Sequence, residues 1–249
     1  MPDGTRIALF PTCVLEALAP DVGAAAIRVL RTRGYEVHIP DDVTCCGQPA
    51  WNAGFTDEAA EVARTSLDAL AADDSEAIVV PAGSCATMMR VYWPELFRIT
   101  GDAEARDMAE DLLPRIYEFT EFLAAAPGRD EQPSEGREIA YHHSCHMLRE
   151  LGIEAQPVDL LETTGNDVVA WDGAQRCCGF GGLFSVKQPE ISVAMADEKL
   201  DSLAETTATC LVGADLSCLF QLEGRMRALD IDLPVRHVAE MLDREPTGG

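Results

Sequence analysis

The most constraining feature of this 249-residue sequence is a set of cysteines that occurs twice in the same order. In the first set, 31 residues separate a single cysteine from an adjacent Cys-Cys-Gly, and 38 more precede a fourth cysteine. In the second set these intervals are 31 and 39 residues. The two sets are Cys13, Cys45, Cys46 and Cys85, and then Cys145, Cys177, Cys178 and Cys218. Such a repeat predicts two copies of one structural unit, each carrying four thiols.

The adjacent cysteines favour a metal site over disulfide bonds. Neighbouring Cα atoms lie ~3.8 Å apart across a trans peptide, whereas an ordinary disulfide needs roughly 4.4–6.8 Å. The sequence shows neither a signal-peptide pattern at its start nor a long apolar run, so we expect a cytoplasmic protein with reduced thiols. The ninth cysteine, Cys210, lies in an apolar, strand-like segment and is expected to be an ordinary buried thiol.

The charge of the chain bears on its partners. Its 43 acidic residues against 19 basic ones give a formal net charge of −24. A surface of this sign repels phosphate groups, so neither a nucleic acid nor an anionic membrane is an expected partner.

Short apolar segments alternate with helical segments in each half of the chain. The predicted strands are residues 6–10, 35–39, 77–80, 138–142, 167–171 and 209–212, and the main predicted helices are about 21–33, 57–71, 155–163 and 190–204. This alternation predicts an α/β fold of two tandem halves, each a small parallel sheet flanked by helices. The cysteines follow the strands, so the thiols should meet at the carboxyl ends of each sheet.

The boundary between the halves is predicted from composition. Residues 128–136 are polar and rich in Gly and Pro, which is typical of a linker. We therefore predict one domain over residues 1–130 and a second over residues 131–249.

Four thiolates at one point suit either an iron–sulfur cluster or a tetrahedral zinc ion. The ligands come from loops more than 30 residues apart, unlike the compact pairs of zinc knuckles and ribbons. Such spacing requires a folded scaffold to assemble the site. Two zinc ions that only stabilise the fold remain the alternative.

The motifs resemble those of the cysteine-rich (CCG) domain family, which includes the cysteine-rich component of heterodisulfide reductase and the iron–sulfur component of glycolate oxidase. The likeness is closest to the lactate-utilization branch of this family and spans residues 6 to about 242. The segments that carry it are 10–13, 45–50, 83–85, 141–146 and 177–187.

The resemblance implies an iron–sulfur subunit of an oxidoreductase complex that oxidises L-lactate to pyruvate and is not catalytically complete in this chain alone. The implied partners are a ferredoxin-like iron–sulfur subunit and a third subunit, with the 2-hydroxy acid bound by the complex. The implied cofactors are up to two [4Fe-4S] clusters held by the eight repeated cysteines, with zinc as an option in one half.

One departure from the family leaves the cluster type open. The fullest family motif has a fifth cysteine, where this sequence has Met88 and Gln221. An ordinary cubane cluster is thus as consistent with the sequence as a non-cubane one. The alternative functions are a zinc-stabilised assembly module without a redox role and a heterodisulfide or thiol reductase subunit.

Charged and ionisable residues near the second set are further candidates. His142, His143 and His146 surround Cys145 and can replace a ligand, carry a proton, orient a carboxylate or cap a loop. Arg149 and Lys187 are candidates for binding an anion, with surface positions as the alternative.

Overall fold

The structure, a computed structural model, describes residues 2–126 and 136–243. The chain divides into two compact units, Met1–Pro127 and Gly128–Gly249. The predicted boundary between residues 130 and 131 lies outside the described residues, as does all of the predicted linker except Gly136. These two positions therefore stay predictions.

The first unit alternates strands and helices along the chain. Its elements are β1 (Arg6–Leu9), α1 (Cys13–Leu18), α2 (Pro20–Thr32), β2 (Glu36–His38), α3 (Gln48–Asn52), α4 (Thr56–Ala72), β3 (Ala77–Val80), α5 (Gly83–Thr87), a π-helix (Met88–Tyr92), α6 (Trp93–Thr100), α7 (Ala103–Leu112), a 3-10 turn (Leu113–Arg115), β4 (Ile116–Glu118) and α8 (Phe119–Ala125). In α2 the buried positions Val22, Ala25, Ala26, Val29 and Leu30 recur every three to four residues. That spacing gives the helix one apolar face to pack into the core of the unit.

The second unit follows the same plan. Its elements are β5 (Glu138–His142), a π-helix (Met147–Leu151), α9 (Ala155–Thr163), β6 (Asp167–Val168), α10 (Leu183–Lys187), α11 (Pro189–Ala204), β7 (Cys210–Gly213), α12 (Leu216–Ala228), β8 (Val235–His237) and α13 (Val238–Leu242). Its core includes Ala196, Leu200 and Leu203 from α11 and Leu222 and Met226 from α12.

Each unit contains one four-stranded sheet in which all pairings are parallel. The strand orders are β2-β1-β3-β4 and β6-β5-β7-β8. The third strands, β3 and β7, are buried at every residue, as expected for strands covered on both faces. The predicted fold class, two tandem α/β halves with parallel sheets, is confirmed.

The structure differs from the prediction at the edges of the sheets. The sequence indicated three strands per half, but β4 and β8 add a fourth strand of three residues to each sheet. Strand β6 is only two residues long, not the five predicted, because the chain turns away after Val169. None of the helices in the two described ranges is long and apolar enough to cross a membrane.

Candidate metal centres

The four repeated thiols of the first unit form a continuous chain of contacts. Cys13 Sγ lies 3.6 Å from Cys45 Sγ. The Cys46 thiol is in hydrogen-bonding contact with both Cys45 and Cys85. Cys46 and Cys85 are buried, whereas Cys13 and Cys45 are half-buried. Three separate segments of the unit therefore bring four sulfur atoms together, two deep in the protein and two near its surface.

The second unit repeats this arrangement. The Cys145 thiol contacts Cys177, and the Cys178 thiol contacts both Cys177 and Cys218. Cys178 and Cys218 are buried, and Cys145 and Cys177 are half-buried. All eight cysteines proposed as ligands from the sequence thus fall into two groups of four.

One cysteine in each group is held as the thiolate. The pKa of Cys45 lies well below its ordinary value, because hydrogen bonds from Cys13 and then Cys46 stabilise its negative charge. The pKa of Cys177 is lowered in the same way by Cys145 and then Cys178. The Gly179 N–H also points to Cys177 Sγ, with the nitrogen 3.4 Å from the sulfur. Because metals bind thiolates and not thiols, each group has one sulfur ready to ligate.

The glycine of each Cys-Cys-Gly is required by the packing of the turn. Gly47 and Gly179 adopt φ values of 86° and 84°, in the left-handed region that favours glycine. A Cβ atom on Gly47 would lie 2.7 Å from the Ala59 carbonyl oxygen in α4, and one on Gly179 would lie 2.5 Å from the Ser192 carbonyl oxygen in α11. The turn that carries the paired thiols therefore rests directly on the backbone of a long helix.

Buried hydrogen bonds fix the first Cys-Cys turn. Ser66 Oγ donates to the Cys45 carbonyl oxygen at 3.2 Å and accepts from the Thr44 N–H at 2.9 Å. The Trp93 indole N–H donates to the Cys46 carbonyl oxygen at 2.8 Å. These contacts hold the backbone that presents the two adjacent thiols.

Lys199 on α11 holds the loop before the second Cys-Cys turn. Its side chain is fully buried, and its ammonium group donates to the carbonyl oxygens of Gly173, Ala174 and Arg176, the last at 2.9 Å. The ammonium group also lies 4.5 Å from the centre of the Trp171 ring. Burial lowers the pKa of Lys199 to about 8.

Lys199 was missed as a site residue in the sequence. It lies three residues after Ala196 and four before Leu203, so it occupies the apolar face of α11. A lysine at such a position is rare unless it is paired, and this could have singled it out.

Of the three histidines near Cys145, only His142 lies with the buried thiols. Its side chain is 1 % exposed, and neither ring nitrogen has a hydrogen-bond partner. A ring nitrogen and the sulfur atoms of Cys178 and Cys218 all lie within 4.8 Å of one another. Burial lowers the pKa of His142 well below its ordinary value, so the ring is neutral.

The remaining candidates lie away from these thiols. His143 stands edge-on to the Tyr141 ring, and His146 Nδ1 lies 2.5 Å from Glu150 Oε2. Arg149 and Lys187 are exposed. As predicted, Cys210 is a buried thiol, at the amino end of β7 and so at the opposite end of that strand from Cys218.

The donor atoms fit a metal or iron–sulfur centre in each unit. Four cysteine sulfurs in contact are the usual ligand set for both, and N–H groups directed at sulfur are typical of thiolate sites. The residues at the fifth family position supply no thiol: Met88 is fully buried, and Gln221 donates to Ser192 Oγ at 2.9 Å.

Two parallel α/β units, each with four thiols gathered around a Cys-Cys-Gly turn, define a cysteine-rich protein built around two candidate metal centres. The sequence profile of the CCG family, described as "Cysteine-rich domain", matches residues 7–90 and 139–223. The chain belongs to this family.

Several relatives match almost the whole chain. Lactate utilization protein A 2 of Bacillus cereus (strain Q1) is 41% identical over 239 residues, 95% of this chain and 97% of the relative. Lactate utilization protein A of Exiguobacterium sp. (strain ATCC BAA-1283 / AT1b) is 42% identical over 240 residues, 96% and 97% of the two chains. The resemblance noted in the sequence is confirmed.

Among solved structures, glutamate racemase from Francisella tularensis is 13% identical and covers 97% of this chain and 79% of its own, with a TM-score of 0.36. A likeness this weak informs neither fold nor function.

Proposed function

We propose that this protein is an iron–sulfur electron-transfer subunit of a complex that oxidises L-lactate to pyruvate. The observation that carries the proposal is the pair of four-thiol groups, each assembled at the carboxyl edge of a parallel sheet. The substrate is inferred from relatives about 41% identical that are named for lactate utilization.

A redox role favours iron–sulfur clusters over zinc, because zinc undergoes no redox chemistry. The burial pattern supports this choice. In each group two thiols lie in the core and two lie nearer the surface, so a cluster held there would be shielded on one side and accessible to a partner on the other. Shielding and N–H···S hydrogen bonds are the means by which proteins set the reduction potential of such clusters.

The electron count is consistent with two centres in one chain. Oxidation of L-lactate to pyruvate releases two electrons and two protons, and a [4Fe-4S] cluster carries one electron at a time. A ferredoxin-like subunit receives the electrons in this proposal, and a third subunit completes the complex that acts on the carbon substrate. The role of this chain is to carry electrons within that complex.

Alanine substitutions in the cysteines test the ligand assignment. We expect Cys85→Ala and Cys218→Ala each to lower the iron and acid-labile sulfide of anaerobically prepared protein by about half, because each variant loses one of two centres. Cys210→Ala is the matched control, since Cys210 is equally buried but lies at the other end of β7, and it should retain both. Equal losses in all three variants would show that general destabilisation, and not ligation, explains the effect.

The redox role is tested by adding substrate to the complex purified with its partner subunits. We expect L-lactate to bleach the visible absorbance of the clusters in this subunit, and D-lactate to bleach it far less. Bleaching by dithionite but not by L-lactate would contradict the assigned substrate and leave the iron–sulfur assignment intact.

A further inference from the structure

The second unit contains one buried group that the four-thiol pattern does not explain. His142 is the last residue of β5, is 1 % exposed, and has no hydrogen-bond partner on either ring nitrogen. Leaving such a ring unpaired in the core costs roughly 1–3 kcal/mol, so a buried histidine without a partner calls for a missing ligand.

The ring lies where a metal would be held. Its nitrogen, Cys178 Sγ and Cys218 Sγ are all within 4.8 Å of one another, and in the described part of the chain this is the only such trio of possible metal-ligand residues. The Ala174 carbonyl oxygen lies beside the ring. Metal-binding histidines commonly place their second ring nitrogen against a backbone carbonyl in this way.

The first unit has no equivalent donor. The residue three positions before Cys13 is Phe10, which is fully buried, whereas the residue three positions before Cys145 is His142. A phenylalanine ring offers no ligand atom, so the two units differ at one matched position next to their thiols.

We propose that His142 is a nitrogen ligand of the metal centre in the second unit, beside Cys178 and Cys218, so that the two centres of the chain differ in their donor atoms. This inference rests on the proposed presence of metal centres. Where histidine replaces thiolate in iron–sulfur proteins, the reduction potential rises. The second centre is therefore expected to be reduced at a higher potential than the all-sulfur first centre.

Pulsed EPR of protein labelled with ¹⁵N-histidine tests the proposal directly. In dithionite-reduced wild type we expect a strong ¹⁵N coupling from a directly bound ring nitrogen. His142→Phe, which carries the residue of the first unit, should lose that coupling while the signal of the first centre persists. His143→Phe is the matched control and should retain the coupling.

A reduced cluster in the wild type without a directly bound histidine nitrogen would overturn the inference, and so would a coupling that survives in His142→Phe. If His142→Phe does not accumulate, labelled wild type, His143→Phe and His146→Gln decide. Coupling in all three supports His142, and its loss in either variant assigns the nitrogen elsewhere.

Failure of the proposed function gives a different result. A protein that holds zinc and no labile sulfide would refute the electron-transfer role, and X-ray absorption at the zinc edge would then decide the ligand. Histidine scattering that disappears in His142→Phe supports the inference, whereas sulfur-only ligation overturns it. Protein with neither iron nor zinc after anaerobic preparation would overturn both proposals.

Discussion

Replacing Gly47 by alanine should unfold the first unit far more readily than so small a change in the side chain suggests. An alanine at φ 86° pays ~1–2 kcal/mol for the left-handed conformation. Its Cβ would also lie 2.7 Å from the Ala59 carbonyl oxygen and 3.3 Å from the Ala63 Cβ, so α4 must move. Overpacking of this kind costs ~1–3 kcal/mol. The expected loss of unfolding free energy is therefore roughly 2–5 kcal/mol.

Gly54 provides a matched control for the conformational part of this cost. Its φ is 83°, and a Cβ there would meet nothing within 4 Å. Gly54→Ala should therefore lose only ~1–2 kcal/mol, from the left-handed conformation alone. The comparison isolates the contact between the Cys-Cys-Gly turn and the helix.

The assay is urea unfolding of the metal-free, reduced full chain, followed by hydrogen exchange in peptides from the first unit. Peptides from the second unit serve as the internal reference, because Gly47→Ala should leave them unchanged. If Gly47→Ala and Gly54→Ala proved equally mild, the turn would not rest on α4 as described, and the structural explanation of the glycine would be wrong.

Two further perturbations test buried charges. Burial raises the pKa of Glu118 to about 7, with one oxygen accepting from Thr120 and the other unpaired. A raised carboxyl pKa stabilises the protein below the unfolded pKa and loses this effect as pH rises through about 7. The wild type should thus lose up to ~3 kcal/mol between about pH 4.5 and 8, and Glu118→Gln should flatten that slope in urea unfolding; parallel profiles would contradict the assignment. Lys199→Met should destabilise the second unit by about 3 kcal/mol and release its metal first, because three carbonyl oxygens lose their donor; unfolding and metal content equal to wild type would show that the ammonium group does not hold the loop.

The architecture could be predicted because the cysteine spacing and the strand pattern agree. Parallel strands align their carboxyl ends, so a cysteine after each strand must reach the same edge of the sheet. This is where Cys13 and Cys85 meet the Cys45–Cys46 turn. The helix limits were predicted within one residue for α2, α4, α9 and α11, since their apolar spacing is regular.

The edge strands were not predicted for a physical reason. Strands β4 and β8 are three residues long, Ile-Tyr-Glu and Val-Arg-His, and too short to show a periodic pattern. They are strands because β3 and β7 offer a free edge, which is a tertiary effect. The length of β6 was overestimated because its apolar residues continue beyond the point where the backbone leaves the sheet.

Within the site, sequence spacing located the thiols but not the groups around them. Three histidines near Cys145 were equivalent in the sequence, and only the fold separates buried His142 from His143 and His146. Comparison of His142 with Phe10 at the matched position of the first unit would have singled it out. The spacing of the cysteines could not show that Ser66 and Lys199 each bind the loop before a Cys-Cys turn.

The central claim is that both four-thiol groups hold iron–sulfur clusters, and the most direct test is metal and sulfide analysis of anaerobically purified protein with EPR before and after dithionite. About eight irons and eight acid-labile sulfides per chain, with a paramagnetic signal that appears on reduction, are predicted for two [4Fe-4S] centres. Two zinc ions, no sulfide and no EPR signal would contradict the claim and leave a zinc-stabilised assembly module.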